Sequence, residues 1–246
     1  MCTIFVIRER LGGFPLVIAA NRDEMLVRQW SGPERIEGSP GVVCPRDAAA
    51  GGTWIGVNDA GLVVAITNRV FMGSDSTRRS RGWLCREALG QRSPEAAQAF
   101  VRRQVGSTPY NPFNLFVGGP GAAWALEYAD GELTQVRLEP GVHVLTSHHD
   151  LNPTSLSENR AAMGAAANEA RADPGSFARL ASEVLADHRV FLDGYAVCKH
   201  GDTYGTRSAA VIGVRNRGEA YFAFAPGRPC EHNFEPVNVV VDRAHA

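Results

Sequence analysis

The sequence predicts an α+β fold in which two β-sheets lie face to face between layers of helices. Segments with strand character come in three groups, separated by two groups of helical segments, and such grouping is typical of α+β proteins. The first two strands, residues 3–8 and 16–20, are apolar nearly throughout, which predicts that both faces of their sheet are covered. No linker, repeat or low-complexity segment divides the chain, so we predict a single domain over residues 1–246.

Turn residues and hydrophobic periodicity assign the individual elements. Gly12-Gly13 joins the first two strands, and Asn58-Asp59-Ala60-Gly61 is typical of a turn between two further strands, residues 53–57 and 62–67. Residues 31–50, which are rich in Gly, Pro and polar side chains, are predicted to form a long loop. Four helices are predicted: two over residues 79–90 and 155–171, and two that begin at Ser93 and Asp173. A meander of four strands is predicted over residues 114–117, 123–128, 133–138 and 142–146. A final hairpin is predicted from residues 207–214 and 220–225.

Composition narrows the class of protein. The chain has a formal net charge of −1 and 44% hydrophobic residues, a globular balance that does not indicate a nucleic-acid partner. Its five cysteines are scattered without Cys-x-x-Cys spacing, which argues against a zinc ribbon or a disulfide scaffold. The sequence shows neither the ~20 apolar residues of a membrane helix nor the apolar stretch of a signal peptide. We therefore expect a soluble cytoplasmic protein with reduced cysteines.

Cys2, directly behind Met1, is the first candidate catalytic residue. Removal of Met1 would leave a thiol and an α-amine on one residue, and an amine with an unperturbed pKa near ~7.7–8 can accept the thiol proton. A nucleophile activated by an adjacent base is a known arrangement for covalent catalysis. The alternative is structural, because cysteine also suits a buried strand as a small hydrophobic residue.

A charged tetrad at the exit of the second predicted strand, Asn21-Arg22-Asp23-Glu24, is expected to lie near Cys2. A tight hairpin would bring the two together. Asp23 could then hold the amine, and the positive charge of Arg22 could favour the thiolate. A solvated, charged turn is the alternative interpretation.

Two later residues carry groups that such a nucleophile would use. Asn68 ends a buried strand, where its side-chain amide would suit an oxyanion hole or would simply terminate the strand as a turn residue. Arg207 enters an apolar strand and therefore needs a partner, because a buried unpaired charge is costly. A surface ion pair is the alternative for Arg207.

Four segments together resemble the NRDE-motif family of transport and Golgi organisation proteins. They are the Met-Cys-Thr start, Asn-Arg-Asp-Glu at 21–24, Gly-Gly-Thr-Trp-Ile-Gly-Val-Asn at 51–58 and Gly-Thr-Arg-Ser at 205–208. The resemblance extends from residue 1 to about residue 214. The same segments are similar to cysteine-type N-terminal nucleophile (Ntn) hydrolases, which include bile-salt hydrolases and penicillin V acylases.

This resemblance implies a fold and a set of roles. The fold would be a four-layer αββα sandwich of two mainly antiparallel sheets. Cys2 would be the nucleophile and its amine the base, and Asp23 would be the carboxylate that orients the amine. Asn68 would supply an oxyanion amide, and Arg207 would be the late arginine held near the nucleophile.

The chain departs from these amidases at two places. They carry an arginine before the Asn of the tetrad, whereas here Ala20 precedes Asn21. They also carry a Thr-Asn step late in the chain, where this sequence has Thr146-Ser147-His148. The residues expected to line the substrate site are Asn21, Arg22, Glu24, Trp54, Ser147 and His148, although core packing is the simpler role for Trp54.

Other segments suggest ligands beyond a simple amide. His148 and His149 are adjacent and would point to opposite faces of a strand, so we predict no shared metal there. Cys44-Pro45 resembles the dipeptide of haem-responsive proteins, and Cys198 with His200 could supply axial ligands, although a turn is the simpler role for His200. The basic run Arg78-Arg79-Ser80-Arg81 could hold a phosphate at a helix start or remain solvated.

Two functions are therefore expected. The first is hydrolysis of a small-molecule amide or thioester by acyl transfer to Cys2, which requires no cofactor and no metal. The second is a non-catalytic binding or trafficking role for haem, acyl-coenzyme A or another lipid on the same fold. The resemblance, rather than the residues, implies the links to haem handling and acyl-coenzyme A.

Overall fold

The computed structural model describes residues 2–36, 41–69, 74–148, 150–191, 194–216 and 219–239, so Met1 and His149 lie outside the described residues. Its strands in chain order are β1 (Cys2–Leu11), β2 (Phe14–Met25), β3 (Trp30–Arg35), β4 (Val42–Asp47), β5 (Ile55–Asn58), β6 (Val63–Asn68), β7 (Phe113–Gly118), β8 (Ala123–Ala129), β9 (Glu132–Arg137), β10 (Gly141–Thr146), β11 (Tyr204–Val214), β12 (Ala220–Ala225) and β13 (Glu235–Pro236). The helices are α1 (Arg81–Ala88), α2 (Pro94–Ser107), α3 (Ser157–Ala170) and α4 (Pro174–Leu185), with one 3-10 turn at Thr154–Leu156.

The strands form two antiparallel sheets. In the described ranges the first sheet has six strands in the order β10-β1-β2-β11-β12-β13, and the second has seven in the order β3-β4-β5-β6-β7-β8-β9. Helices α3 and α4 pack on the first sheet, whereas α1 and α2 pack on the second. The predicted α+β class and the four-layer αββα sandwich are confirmed. None of the helices in the described part of the chain combines the length and apolar character needed to span a lipid bilayer.

Strand alternation divides the core into three layers. Successive side chains of a strand point to opposite faces. In β1, Ile4 and Val6 face the second sheet, whereas Phe5 and Ile7 pack against the layer of α3 and α4. All four are fully buried, so the near-continuous apolar pattern of this strand arises because both of its faces are covered.

The predicted loop over residues 31–50 is wrong. Trp30–Arg35 and Val42–Asp47 pair as β3 and β4 at the edge of the second sheet. Gly32 and Pro33 lie in the edge strand β3, where a proline costs no ladder hydrogen bond if its nitrogen faces outward. A register shift between Ser31 and Glu34 interrupts the pairing at this point.

The predicted four-strand meander is also wrong in its last member. Strand β10 leaves the second sheet and pairs with β1 in the first, with Thr3 opposite Thr146. Only β7, β8 and β9 form the meander. The crossing has a functional consequence, because it brings the residues after β10 beside Cys2.

Candidate active site

The Asn21-Arg22-Asp23-Glu24 tetrad lies inside a strand and not in a turn. Strand β2 continues to Met25, five residues beyond the predicted end, because β11 pairs with it along the tetrad. Cys2 is directly opposite Arg22 in the β1–β2 pair, so these two side chains share the face that points at the second sheet. Asn21 and Asp23 occupy the other face, toward α4 and the segment before β11.

A cleft of about 360 Å³ opens where the Cys2 end of the first sheet meets the second sheet. Acidic, basic and amide side chains dominate its wall. The residues that line it include Cys2, Arg22, Asp23, Glu24, Arg28, Asp47, Thr53, Trp54, Ile66, Asn68, Asp75, Arg78, Arg79, Arg81 and Asn111. A polar cleft at the end of an otherwise apolar inter-sheet layer is the kind of concave site that binds small molecules.

Cys2 is held in the cleft wall by a chain of hydrogen bonds. It is 7% exposed, and its backbone nitrogen donates to Ser147 Oγ over 2.7 Å. Ser147 in turn hydrogen-bonds to the hydroxyl of Thr67 on β6. Ser147, in the segment where the sequence departs from the Thr-Asn step expected of the amidases, therefore contacts the nitrogen that would become the α-amine. It also connects the two sheets at that point.

The surroundings of Cys2 include groups that raise the pKa of its thiol and groups that lower it. Burial of the thiol raises its pKa, and the negative charge of Asp23 adds to this effect. The backbone N–H of Asp23 donates to the sulfur and the guanidinium of Arg22 lies nearby, and both lower the pKa. The net shift is upward, so the resting thiol is protonated near neutral pH and needs a base to become a nucleophile.

Two N–H donors in the cleft wall have no protein acceptor among the described residues. They are Nη1 of Arg22 and Nε1 of Trp54, and both atoms are buried. Arg22 uses its other terminal nitrogen on Glu24, at 3.5 Å. Because buried donors without partners are costly, these two donors beside the cleft are available to a ligand oxygen.

On the opposite face of β2, Asp23 and Asn21 are engaged in the protein interior. Asp23 binds Lys199 Nζ through Oδ2 at 2.8 Å and accepts a hydrogen bond from the Thr206 hydroxyl on Oδ1 at 2.7 Å. Asn21 donates from Nδ2 to the backbone carbonyls of Leu185, at 2.8 Å, and Val197, at 2.9 Å. These contacts bind β2 to β11, to the end of α4 and to the segment before β11.

The remaining predicted site residues divide between the cleft and other places. Asn68 ends β6, is half-buried and lines the cleft. Arg207 lies in a bulge of β11, between Thr206 and Ser208, and its buried Nε has no hydrogen-bond partner in the described ranges. Arg207 is not among the described residues that line the cleft. His148 packs edge-on against Tyr195, 5.6 Å between ring centroids, below the helix layer.

The basic run before α1 reaches the same cleft. Arg78 and Arg79 are paired with Asp75 and Glu87 respectively. Arg81 donates to the Pro112 carbonyl at 2.9 Å, and no carboxylate among the described residues forms an ion pair with it. Its desolvation lowers its pKa, yet it stays a strong cation. A positive charge near Cys2 is therefore available to an anionic ligand.

Arg28 and Asp47 belong to the site although sequence patterns did not indicate them. Arg28 Nη2 binds Asp47 Oδ2 at 2.7 Å, and its Nε lies 3.7 Å from the carboxylate of Glu24. Asp47 ends β4, within the segment predicted to be a loop. Recognition of the β3–β4 pair is the signal that would have placed it beside the tetrad.

Solved structures of hydrolases share this architecture. One is a Caenorhabditis elegans N-acylethanolamine-hydrolyzing acid amidase ortholog, 14% identical, with a TM-score of 0.56 over 86% of this chain and 92% of that chain. Two others are a mutant and a variant of the conjugated bile acid hydrolase of Clostridium perfringens. The mutant is 10% identical, with a TM-score of 0.51 over 100% of this chain and 99% of that chain. The variant is 11% identical, with a TM-score of 0.56 over 99% of each chain. These similarities define the fold, which is that of the Ntn hydrolases.

The family assignment comes from the sequence. A search of curated protein sequences gives no significant match. The family model described as Transport and Golgi organisation 2 matches residues 1–223. The chain therefore belongs to the Transport and Golgi organisation 2 family, and the resemblance found in its four motifs is confirmed.

Proposed function

We propose that this protein is a cysteine-type Ntn hydrolase that transfers an acyl group from a small-molecule amide or thioester to Cys2 and then to water. The observation that carries this proposal is the position of Cys2 in the wall of a polar cleft, opposite Arg22 and beside two N–H donors without protein acceptors. The fold supports a hydrolytic reaction, since the structures it resembles are an amidase and a conjugated bile acid hydrolase.

The reaction begins with proton transfer within one residue. Once Met1 is removed, the α-amine of Cys2 takes the thiol proton, which the raised pKa of the thiol makes necessary. The sulfur attacks the carbonyl carbon and forms a C–S bond. The amine returns the proton to the leaving nitrogen or sulfur as its bond to carbon breaks. Water then cleaves the acyl–sulfur bond, which releases a carboxylic acid and restores the thiol.

The surrounding residues take distinct roles in this scheme. The free donors of Arg22 and Trp54, together with the amide of Asn68, stabilise the oxyanion of the tetrahedral intermediate. Asp23, whose charge is close enough to raise the pKa of the Cys2 thiol, orients the α-amine. Arg207, in the bulge beside these residues, contributes positive charge as a positioning residue.

A reagent specific for a free 1,2-aminothiol tests the reactive residue directly. A cyanobenzothiazole probe condenses with an N-terminal cysteine only when its amine and thiol are both free. We expect one adduct per chain by intact mass, on a chain that lacks Met1, and none in Cys2→Ala. Cys85→Ala removes a buried thiol that lies outside the cleft and is the matched control that should label normally.

Hydrolysis is then measured on a panel of amides and acyl thioesters, with the release of the acid as readout. Turnover by the parent chain and its absence in Cys2→Ala would support the proposal. A chain that retains Met1, or turnover that persists in Cys2→Ala, would refute it.

A second candidate function is binding of an acyl-coenzyme A without turnover, and Arg81 is the observation that favours it. Its guanidinium lines the cleft without a carboxylate partner among the described residues, and a phosphate would satisfy it. Titration with acyl-coenzyme A, and in parallel with haem, tests this function. Binding that Cys2→Ala leaves unchanged and Arg81→Gln weakens about tenfold, with no hydrolysis of any acyl substrate, would favour the binding role.

A further inference from the structure

Two histidines and two cysteines converge outside the cleft. They are His188, Cys198, His200 and Cys230, and their ligand atoms all lie within 4.8 Å of one another. They come from three separate segments: the chain after α4, the chain before β11 and the turn after β12. No proposed step of acyl transfer uses them, so their convergence calls for a separate explanation.

The spacing of these atoms matches a tetrahedral ion. Zn–S bonds of ~2.3 Å and Zn–N bonds of ~2.0–2.1 Å place tetrahedral ligand atoms about 3.8 Å apart for two sulfurs, about 3.5 Å for sulfur and nitrogen, and about 3.3 Å for two nitrogens. The two sulfurs are 3.8 Å apart, and Nε2 of His200 lies 3.2 Å from Nε2 of His188. The same nitrogen of His200 lies 3.3 Å and 3.8 Å from the sulfurs of Cys230 and Cys198.

We propose that these four side chains bind one zinc ion. Two thiolates and two imidazoles form a donor set that zinc prefers, and four protein ligands close the coordination sphere, which is typical of a structural site. A disulfide does not describe the arrangement, because a separation of 3.8 Å is far beyond the ~2.05 Å of an S–S bond. All four donor atoms lie within 4.8 Å of one another, which also differs from the opposed axial ligands of a haem iron.

The surroundings orient the ligands as expected for a metal site. The Glu231 carboxylate lies 3.8 Å from Nδ1 of His200, the ring nitrogen opposite the one in the cluster. This distance is too long for a hydrogen bond, but it places a carboxylate on the side of the ring where metal-bound histidines commonly have one. The backbone N–H of Cys198 donates to the Asp187 carbonyl at 2.9 Å, which fixes the segment of His188 beside that of Cys198.

The cluster is connected to the candidate active site through one residue. Lys199 lies between two of the ligands, Cys198 and His200, and its ammonium binds the carboxylate of Asp23 at 2.8 Å. Its backbone N–H also donates to the Thr206 hydroxyl that binds the same carboxylate. An ion at the cluster would therefore order the segment that binds Asp23 on β2, the strand paired with that of Cys2.

Metal content of the purified full chain, prepared under reducing conditions, tests the proposal independently of activity. We expect about one zinc per chain by elemental analysis. Cys230→Ser and His188→Gln, both at exposed positions, should lower zinc affinity at least about a hundredfold, which is the upper end of the loss for an outer-shell partner. Affinity is measured by competition with a chelator. His232→Gln, an exposed histidine two residues after Cys230, is the matched control and should bind normally.

Cobalt substitution keeps the test decisive if a variant fails to fold. Cobalt bound to the parent chain should show the intense d–d absorption of a tetrahedral site and a thiolate-to-cobalt charge-transfer band. In Cys230→Ser the charge-transfer band should weaken. Equal zinc content in the parent chain and Cys230→Ser, cobalt spectra without thiolate charge transfer, or a Cys198–Cys230 disulfide in place of the metal would each overturn the proposal.

Discussion

The two faces of β2 at the Asn21-Arg22-Asp23-Glu24 tetrad differ in how their polar groups are satisfied. On the helix-facing side, both carboxylate oxygens of Asp23 and the amide nitrogen of Asn21 bind protein partners, and of their polar side-chain atoms the Asn21 Oδ1 has none among the described residues. On the cleft side, Arg22 keeps a buried N–H without a partner in the described residues. Because successive side chains of a strand point to opposite faces, this contiguous motif is divided between them. Asn21 and Asp23 connect β2 to neighbouring segments, whereas Arg22 faces the cleft.

This difference shows that adjacent residues of one motif can serve separate purposes. The helix-facing half connects segments that are far apart in sequence, as the contacts of Asp23 with Lys199 and Thr206 illustrate. The cleft half faces Cys2 across the β1–β2 pair. Substitutions on the helix-facing side should therefore lower stability, and at Asp23 they should also lower turnover because of its proposed role at the α-amine. Substitutions on the cleft side should lower turnover with little loss of stability.

The largest expected effect is on turnover and comes from the cleft face. Cys2→Ala should reduce acyl hydrolysis about 10⁴-fold or more, because loss of the nucleophile removes the covalent path. The melting temperature should change little. The matched control is Cys85→Ala, at a cysteine of α1 that is fully buried, which should lower stability and leave turnover of the folded protein intact. Equal losses of turnover in the two variants would remove the distinction.

The next effect is on stability and comes from the helix-facing side. Asp23→Asn should lower the free energy of unfolding by about 3–5 kcal/mol, because it leaves the mostly buried ammonium of Lys199 without its counter-charge. Urea unfolding measures the change. Adding Lys199→Met to this variant should recover part of the loss. A loss below about 1 kcal/mol, as for an exposed pair, would contradict the assignment.

A smaller contrast separates Asn21 from Arg22. Asn21→Ala should cost about 2 kcal/mol, because two buried carbonyls lose their donor. Arg22→Met should cost less than Asn21→Ala or should stabilise the chain, since it removes a buried N–H that has no protein acceptor. The same unfolding measurements decide the order, and a larger loss for Arg22→Met would show that the cleft face also supports the fold.

The smallest effect is a pair of opposite shifts in the pKa of the Cys2 thiol. Burial raises this pKa, so the rate of alkylation of Cys2 by iodoacetamide should still be rising at pH 9, above the ~8.5 of a free thiol. Arg22→Met removes a charge that lowers the pKa and should move the rise to higher pH. Asp23→Asn removes a charge that raises the pKa and should move it to lower pH. Shifts in the same direction would contradict the electrostatic description.

Much of the fold could be predicted because its signals are local. Apolar runs flanked by Gly and Asn-Asp turns identified β1, β2, β5 and β6, and Pro94 after the capping Ser93 identified α2. The errors arose where pairing overrides local composition. Residues 31–50 read as a loop yet pair as β3 and β4, and β10 follows three strands of one sheet yet pairs with β1 of the other.

The candidate site was predictable to the extent that it depends on residue type. The neighbourhood of Cys2, Asp23 and Asn68 was expected, whereas the bulge at Arg207 and the packing of His148 on Tyr195 depend on backbone register and layer contacts that local patterns do not encode. Of the cluster around Cys198, the sequence suggested only Cys198 and His200, as ligands of a haem. Their meeting with His188 and Cys230, which lie 10 residues before Cys198 and 30 residues after His200, depends on tertiary structure, and the four residues lack the Cys-x-x-Cys spacing that indicates zinc from sequence.

The sequence by itself determined which chemical groups are present. They are a cysteine behind Met1, the amide, cation and acid of Asn21-Arg22-Asp23, and apolar strands that must be covered on both faces. Tertiary structure decided which of these groups meet. The hydrophobic pattern specifies the face to which each side chain points, but the pairing of β1 with β2 and β10, and the stacking of the second sheet, set the distances. Those distances leave N–H donors without protein acceptors in the described residues beside Cys2 and bring the two histidines and two cysteines of the cluster within 4.8 Å of one another.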